Sequence, residues 1–298
     1  MFRKFGFYTR MIFKMLQQEV VNREDYQVSY DDIAHTYPSW TNQMGKFTDK
    51  IIAPAMLHSE AFGHKTIKVL DFACGTGYIS RKIVGMGVPC EVTAVDISEK
   101  MLESCADLRD QGVKLVRMDG LDFLNRTEET FDVILCGWAL PYFRHKVLLR
   151  LFKDKLTEGG IVGVIANSKG TLHKMEEIFI RVMAENSDHV RKPMNISLQL
   201  PKGKVGLGKW FRRHGFVALE IDEGEVSFSF DTPEALLEWL NQTGALAGTM
   251  HIFNQYEKVK GDILREIRKE KCIDHQYVIN HRFVYGIFRN GGEKNAHT

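Results

Sequence analysis

The segment Val69-Leu70-Asp71-Phe72-Ala73-Cys74-Gly75-Thr76-Gly77 constrains this chain more than any other. A short apolar run ends in an acid, a glycine turn follows, and a helix-like pattern starts at Tyr78 and continues to Met86. Glycine has no Cβ, so the backbone at 75 and 77 can turn sharply and come close to a ligand. Free amides at the start of the following helix can then hold an anionic group such as a carboxylate.

The pattern that opens there repeats. Apolar runs at Ile67–Phe72, Glu91–Val95, Val113–Met118, Phe131–Cys136 and Ile161–Ala166 alternate with helix-like segments, one capped by Ser98 and reaching about Asp110, another at Arg144–Leu156. Continuous apolar strands alternating with helices predict a parallel sheet covered on both faces. Right-handed crossovers make it doubly wound, with its ligand at the carboxyl ends of the strands. Strands are also expected at Phe216–Ile221 and His281–Phe288, with helical or mixed material at Thr171–Glu185 and Pro233–Leu246. The first 60 residues read as mostly helical, broken near Pro38 and again at Pro54. The expected division is a helical extension and cover over 1–60, a ligand-binding core over 61–168, and over 169–298 the rest of the sheet with an insertion or lid that shapes the substrate site.

A second acid ends the second run, in Thr93-Ala94-Val95-Asp96-Ile97-Ser98. An acid there faces the neighbouring crevice and can accept hydrogen bonds from both hydroxyls of a ribose. The competing role for such a residue is to cap the next helix. Ser98 can fill that role and release Asp96 for a ligand.

Together these residues closely resemble the class I methyltransferases that use S-adenosylmethionine (SAM), particularly the small-molecule branch that includes the ubiquinone/menaquinone and biotin-pathway methyltransferases. The resemblance covers about Tyr30 to Ser168. It implies an α/β, Rossmann-like sheet of seven strands with the last antiparallel, a helical amino-terminal cover, and SAM as cofactor. By the same resemblance, Asp71 lies near the methionine amine, and Ala73, Gly75, Thr76 and Gly77 approach the methionine part. Asp96 binds the ribose, with Ile97 and Met101 by the adenine. Met118-Asp119-Gly120-Leu121 resembles the family's third motif, in which Asp119 reaches the adenine amine and Gly120 and Leu121 line its edge. The fourth strand ends at Cys136, also placed by the cofactor. Leu156-Thr157-Glu158-Gly159-Gly160 resembles the usual Leu-Lys-Pro-Gly-Gly turn without its lysine and proline.

The segment Tyr30–Trp40 resembles the family's aromatic cover, in which Tyr37 packs near the sulfonium and Trp40 walls the acceptor pocket; both residues fit plain core equally well. After the fourth strand, Gly137-Trp138-Ala139-Leu140-Pro141-Tyr142-Phe143-Arg144-His145 lies where acceptors meet the methyl. Trp138 and Arg144 are candidates for substrate binding, and His145, His35 and Tyr142 for catalysis, although Arg144 and His145 can equally start a solvated helix. Holding donor and acceptor in line supplies much of the rate, so a base is needed only if the acceptor must lose a proton. This segment lacks the Asp/Asn-Pro-Pro-Tyr of enzymes that methylate nucleic-acid bases. With a formal net charge of +2, no nucleic-acid partner is expected. No metal site is expected either. The acceptor is expected to be a small, bulky, partly apolar metabolite, judged from the methionines and aromatics between Thr171 and Ile279, such as Met175, Phe228 and Trp239. Two other readings stay open: a SAM-binding scaffold or sensor without transferase activity, and a nicotinamide-dependent oxidoreductase. The second would require Gly or Ala where Ser80 stands.

Five cysteines with no Cys-x-x-Cys pair point to a reducing compartment, and a cytoplasmic protein is expected. Residues 1–18 carry Arg3, Lys4, Arg10 and Lys14 and no acid. They suit peripheral membrane contact or self-association as well as simple packing on the domain. The sequence leaves the oligomeric state open.

Overall fold

The computed structural model of this protein describes residues 14, 19–59, 66–194 and 200–291. The expectation for residues 1–18 lies outside them, Lys14 apart. The strands are β1 (Ile67–Phe72), β2 (Cys90–Asp96), β3 (Lys114–Arg117), β4 (Phe131–Gly137), β5 (Leu156–Asn167), β6 (Phe216–Phe230), β7 (Cys272–Ile273) and β8 (Gln276–Asn290). They form one sheet in the order β3-β2-β1-β4-β5-β8-β6, with the two-residue β7 paired on β8. Strands β1 to β5 are parallel, and β8 runs antiparallel to β5. This is the expected doubly wound, Rossmann-like sheet of seven strands with an added short hairpin.

The helices are α1 (Arg23–Ile33), α2 (Pro38–Ser59), α3 (Tyr78–Gly85), α4 (Glu99–Glu103), α5 (Gly120–Arg126), α6 (His145–Lys155), α7 (Met175–Glu185), α8 (Gly203–Arg213), α9 (Pro233–Gln242) and α10 (Tyr256–Lys271). Two compact units result. One contains Met1–Tyr37, Gly170–Leu198 and Val226–His281, the other Pro38–Lys169, Gln199–Glu225 and Arg282–Thr298. Helices α1 and α2, grouped by the sequence as one cover, therefore belong to different units. None of the described helices is long and apolar enough to cross a membrane.

In the sheet unit, alternation along each strand sorts side chains between two faces. Leu70 and Phe72 of β1 join Phe123 and Leu124 of α5, Leu148 and Phe152 of α6, and Leu207 and Phe211 of α8 in one core. Each fully buried Leu or Phe there contributes about 1.5–3 kcal/mol. Asp71, between Leu70 and Phe72, points the other way, toward α3. On that side α2 lies so close to β5 that a Cβ on Gly163 would sit 2.9 Å from the Ile51 carbonyl oxygen, which explains a glycine inside a buried strand.

The helical unit has its own core. Met175, Phe179 and Met183 of α7 pack with Leu236 and Leu240 of α9 and Val259 and Ile263 of α10, and Met194, Phe228, Phe230 and Trp239 lie against them. Of the other large side chains expected to shape the acceptor site, Phe211 belongs to the core of the sheet unit and Met250 is exposed.

Several expected boundaries change, among them the starts of β5, at Leu156 instead of Ile161, and of β8, at Gln276 instead of His281. Helix α2 continues through Pro54. Burial of Ile51, Ile52, Ala55 and Met56 on both sides of the proline offsets the roughly 3 kcal/mol that an interior proline costs. The helix after Ser98 stops at Glu103 and gives way to a 3-10 turn at Ala106–Arg109, where Cys105 packs beneath the glycine turn. Strand β6 runs on to Phe230: the polar run Asp222–Glu225 hides its continuation in sequence, but Val226, Phe228 and Phe230 alternate with Ser227 and Ser229 at the period of a strand.

Candidate functional site

Strands β1 and β2 pair in register from Ile67↔Cys90 to Phe72↔Val95, so their carboxyl ends open at one edge of the sheet. The turn after β1 uses left-handed backbone at Ala73 (φ 55°), Gly75 (φ 54°) and Gly77 (φ 76°). Gly77 is the N-cap of α3, and a Cβ there would lie 2.7 Å from Leu108 Cδ1 and 2.8 Å from Cys105 Cβ. Both conformation and space demand glycine. Ala73 holds the same conformation with a side chain, at a cost of about 1–3 kcal/mol, a strain concentrated where the chain must bend around something. Thr76, half-buried, sits between the two glycines.

Asp96 closes this corner. Its Oδ2 accepts the Gly75 amide at 2.8 Å and its Oδ1 the Ser98 amide at 2.9 Å. Ser98 Oγ accepts the Met101 amide at 3.1 Å, so Ser98 is the cap of α4. The Asp96 carboxylate thus ties the glycine turn to the end of β2 while staying half-exposed at the mouth of the crevice.

Asp71 has a different environment. It is fully buried, with Oδ2 accepting the Ser80 amide at 3.0 Å and the Ser80 hydroxyl at 2.7 Å. Its Oδ1 is buried without a hydrogen-bond donor. Burial pushes the Asp71 carboxyl up to about 7; the Ser80 hydrogen bonds work against that rise and the nearby Asp96 charge adds to it. An acceptor stranded in this way costs about 1–3 kcal/mol. It is the kind of group that a ligand's ammonium would satisfy.

Asp119 heads α5, its Oδ1 accepting the amides of Leu121 at 2.9 Å and Asp122 at 3.1 Å. The Met118 amide donates to the Asp96 carbonyl at 2.9 Å, which brings the end of β3 to the same corner. Gly120 lies against the ring of Phe72, where no Cβ fits. Ile97 and Leu121 are half-buried, and Met101 is buried on α4. Cys136 is wholly buried in the core of the sheet unit, where burial pushes its thiol up to about 12. Its side chain is a core group. Tyr37 belongs to the helical unit and meets Tyr30 edge-on at 6.0 Å. His35 is exposed in that same unit.

The end of β4 carries a second cluster. Trp138 has left-handed backbone (φ 65°), and its amide donates to the Ile165 carbonyl at 2.7 Å. Its indole N–H donates to Thr48 Oγ1 at 2.9 Å. The ring meets Trp40 edge-on at 5.5 Å and Phe283 at 5.8 Å. The two tryptophans singled out as acceptor wall are therefore in contact, with Trp40 buried and Trp138 partly open. Tyr142 is half-buried in the 3-10 turn Leu140–Tyr142. Arg144 is the exposed N-cap residue of α6, and His145 stacks on Trp210 at 3.9 Å with the rings 5° from parallel. Thr48 and Phe283 are not singled out by the sequence, and Ser80 only as a departure from the nicotinamide fingerprint. Each is an ordinary residue of a helix or strand, and only the packing gives it a partner at the site.

The chain is similar to known methyltransferases. Residues 69–160 match the family model of a methyltransferase domain. The chain is 24% identical to a malonyl-[acyl-carrier protein] O-methyltransferase of Bacillus anthracis over 70% of its length and 73% of the relative's. It is 26% identical to the corresponding protein of Bacillus cereus over 56% of this chain, and spans 62% of that relative's length. Among solved structures, one assigned as a methyltransferase from Bacillus halodurans C-125 superposes with a TM-score of 0.51 at 18% identity, covering 76% of this chain and 94% of that one, and so shares its fold.

Proposed function

We propose that this chain, a class I SAM-dependent methyltransferase, methylates a carboxylate oxygen of a thioester-linked acyl acceptor. Bound SAM supplies a methyl group already activated on a sulfonium. The observation that carries the cofactor site is the corner of Asp71, Gly75 and Asp96: one orphaned buried carboxyl oxygen, one left-handed glycine turn, and one half-exposed acid at the end of the next strand. Asp71 Oδ1 would accept from the methionine ammonium, and the amides around Ala73–Gly77 would face its carboxylate. Asp96 has lone pairs beyond those used by Gly75 and Ser98 and would accept from the ribose hydroxyls. Ile97, Met101, Gly120 and Leu121 would flank the adenine, with Asp119 at its amine edge. Ser80, where a nicotinamide fingerprint needs Gly or Ala, donates to Asp71, which favours this reading over an oxidoreductase.

The acceptor reading rests on the Trp138 cluster together with the relatives' named substrate. In a malonyl thioester the nucleophilic oxygen belongs to the free carboxylate. That group is anionic near pH 7 and needs no base, in keeping with a His145 that is stacked on Trp210. Trp138, Trp40 and Phe283 would wall the apolar stretch of the acyl chain, and the exposed Arg144 would draw in the carboxylate.

The test is to incubate the purified protein with SAM and malonyl thioesters, following S-adenosylhomocysteine and the methyl ester by mass spectrometry. Turnover is expected. SAM binding without product from any carboxylate acceptor would leave the scaffold reading standing.

A further inference from the structure

Helices α6 and α8 of the sheet unit carry charge of one sign almost throughout. Residues 144–155 and 202–213 together hold ten Lys and Arg against one acid, Asp154, in a chain with 40 basic and 38 acidic residues. Arg144, Lys146, Arg150, Lys202, Lys209, Arg212 and Arg213 are all exposed, and among the described residues none of these seven is in an ion pair. Lys204, by contrast, is paired with Asp222 at 3.1 Å.

Helical geometry collects these charges. With Leu207 and Phe211 buried, Lys202, Val205, Lys209, Arg212 and Arg213 fall on the opposite, outward arc of α8. On α6, Leu148 and Phe152 are buried, and Lys146, Arg150 and Lys153 form an i, i+4, i+7 stripe. The two helices are joined by the His145–Trp210 stack, and Lys153 approaches Gly215 just past the end of α8. The stripes are therefore neighbours and make one basic ridge. Both helices start at the ligand edge of the sheet. Arg144 follows the turn after β4, and the start of α8 is tied to the end of β5 by Lys169 N–H to the Pro201 carbonyl at 3.0 Å and Gly203 N–H to Ser168 Oγ at 3.1 Å.

We propose that this ridge docks an acidic carrier protein that presents the acyl acceptor on a flexible thioester arm. The inference rests on the acyl-thioester reading above and names the partner that would deliver the acceptor. Unpaired like charges repel one another and weaken the helices that carry them, so a ridge of seven is best explained by an anionic partner. Two helices of 11 residues present about 16 Å of length each, the size of a single partner helix. Val205, 80% exposed in the middle of the α8 arc, and Val217, 47% exposed, add apolar contacts of the kind a protein surface uses and a phosphate backbone does not. Isolated valines anchor poorly in a bilayer, where basic amphipathic helices insert Trp, Phe or Leu. The rows of charge end at the sheet edge beside Trp138, so a carrier seated on the ridge would have its arm directed at the acceptor wall.

The experiment compares wild type with the quadruple variant K146E/R150E/K209E/R213E, none of whose positions lies in the cofactor corner or the Trp138 cluster. Binding of a fluorescently labelled acidic acyl carrier protein is measured directly at low and high salt. Methyl transfer to malonyl-loaded carrier protein and to malonyl-coenzyme A is measured alongside. The expected result is a wild-type Kd that weakens with salt, and a variant in which carrier binding and KM for the loaded carrier worsen at least tenfold while SAM affinity and turnover of malonyl-coenzyme A stay within twofold. Equal carrier binding by wild type and variant overturns the proposal. So does the absence of carrier binding, including the case in which vesicles of equal phosphatidylglycerol and phosphatidylcholine, or duplex DNA, bind in its place. Carrier binding that the variant abolishes, with no methyl transfer to any thioester, leaves the docking surface standing and overturns the acyl reading instead.

Discussion

Both units carry surface ion pairs, such as Arg81 with Asp107 in the sheet unit, but their less exposed acids meet different partners. In the helical unit they meet cations: Asp25 lies 2.7 Å from Lys192, Glu266 2.9 Å from Arg181, and Glu270 2.7 Å from Lys174. In the sheet unit the acids at the strand ends meet backbone amides, Asp96 those of Gly75 and Ser98, Asp119 those of Leu121 and Asp122, Asp71 that of Ser80. An acid neutralised by Lys or Arg is a structural clamp. One that accepts from backbone amides still has lone pairs that can accept from an ammonium or a hydroxyl. The contrast makes the strand-end acids of the sheet unit, and not the paired acids of the helical unit, the candidates for holding a ligand.

The largest effect that separates the two is on stability. Phe179→Ala removes a fully buried ring from the helical core and is expected to cost about 3–5 kcal/mol in denaturant unfolding. SAM affinity of the folded protein should stay within about twofold; a loss in step with stability would erase the distinction between structural and site residues.

Next comes Asp96→Ala, which removes the acceptor for Gly75 and Ser98 together with the proposed ribose contact. SAM affinity by calorimetry is expected to fall about 100-fold, roughly 2.7 kcal/mol, with a smaller loss of stability from the loosened turn. Asp25→Ala, the matched change at a clamp, should destabilise the protein and leave SAM affinity alone.

The smallest effect is on pH dependence. The Asp71 carboxyl is raised to about 7 in the free protein, so below that pH it is protonated and must lose its proton to pair with an ammonium. SAM affinity should therefore weaken by up to tenfold per unit as pH falls below about 7 and level off above it, with a proton released on binding. In Asp71→Asn this dependence should vanish. The same shift makes Asp71 unfavourable to folding as pH rises from about 4 to 7, because the unfolded chain ionises first. A clamp such as Asp25 behaves in the reverse way: although burial opposes ionisation, Lys192 holds it below the usual carboxylate range, and its stabilisation is lost only in acid.

The glycine turn and the acids beside it were largely legible in the sequence because their determinants are local. The strand, the turn and the next helix are consecutive, and left-handed backbone at Gly75 and Gly77 leaves few residues that fit. Ser98 as the cap of the next helix was also readable from spacing, whereas the Gly75 and Ser98 amides that Asp96 accepts were not. Pro54 misled, because burial on both sides of it outweighs its local preference. The basic ridge was invisible in a net charge of +2, since it forms only when segments about 60 residues apart pack side by side.

By itself the sequence determined the parallel sheet, the order of its strands and helices, and the residues of the glycine turn, since apolar periodicity and backbone sterics act over neighbours in the chain. Tertiary structure decided which acids meet cations and which meet amides, which aromatics meet at Trp138, and where α8 lies against α6. Those outcomes depend on what each side chain is packed against, and burial, pairing and field are properties of neighbours in space.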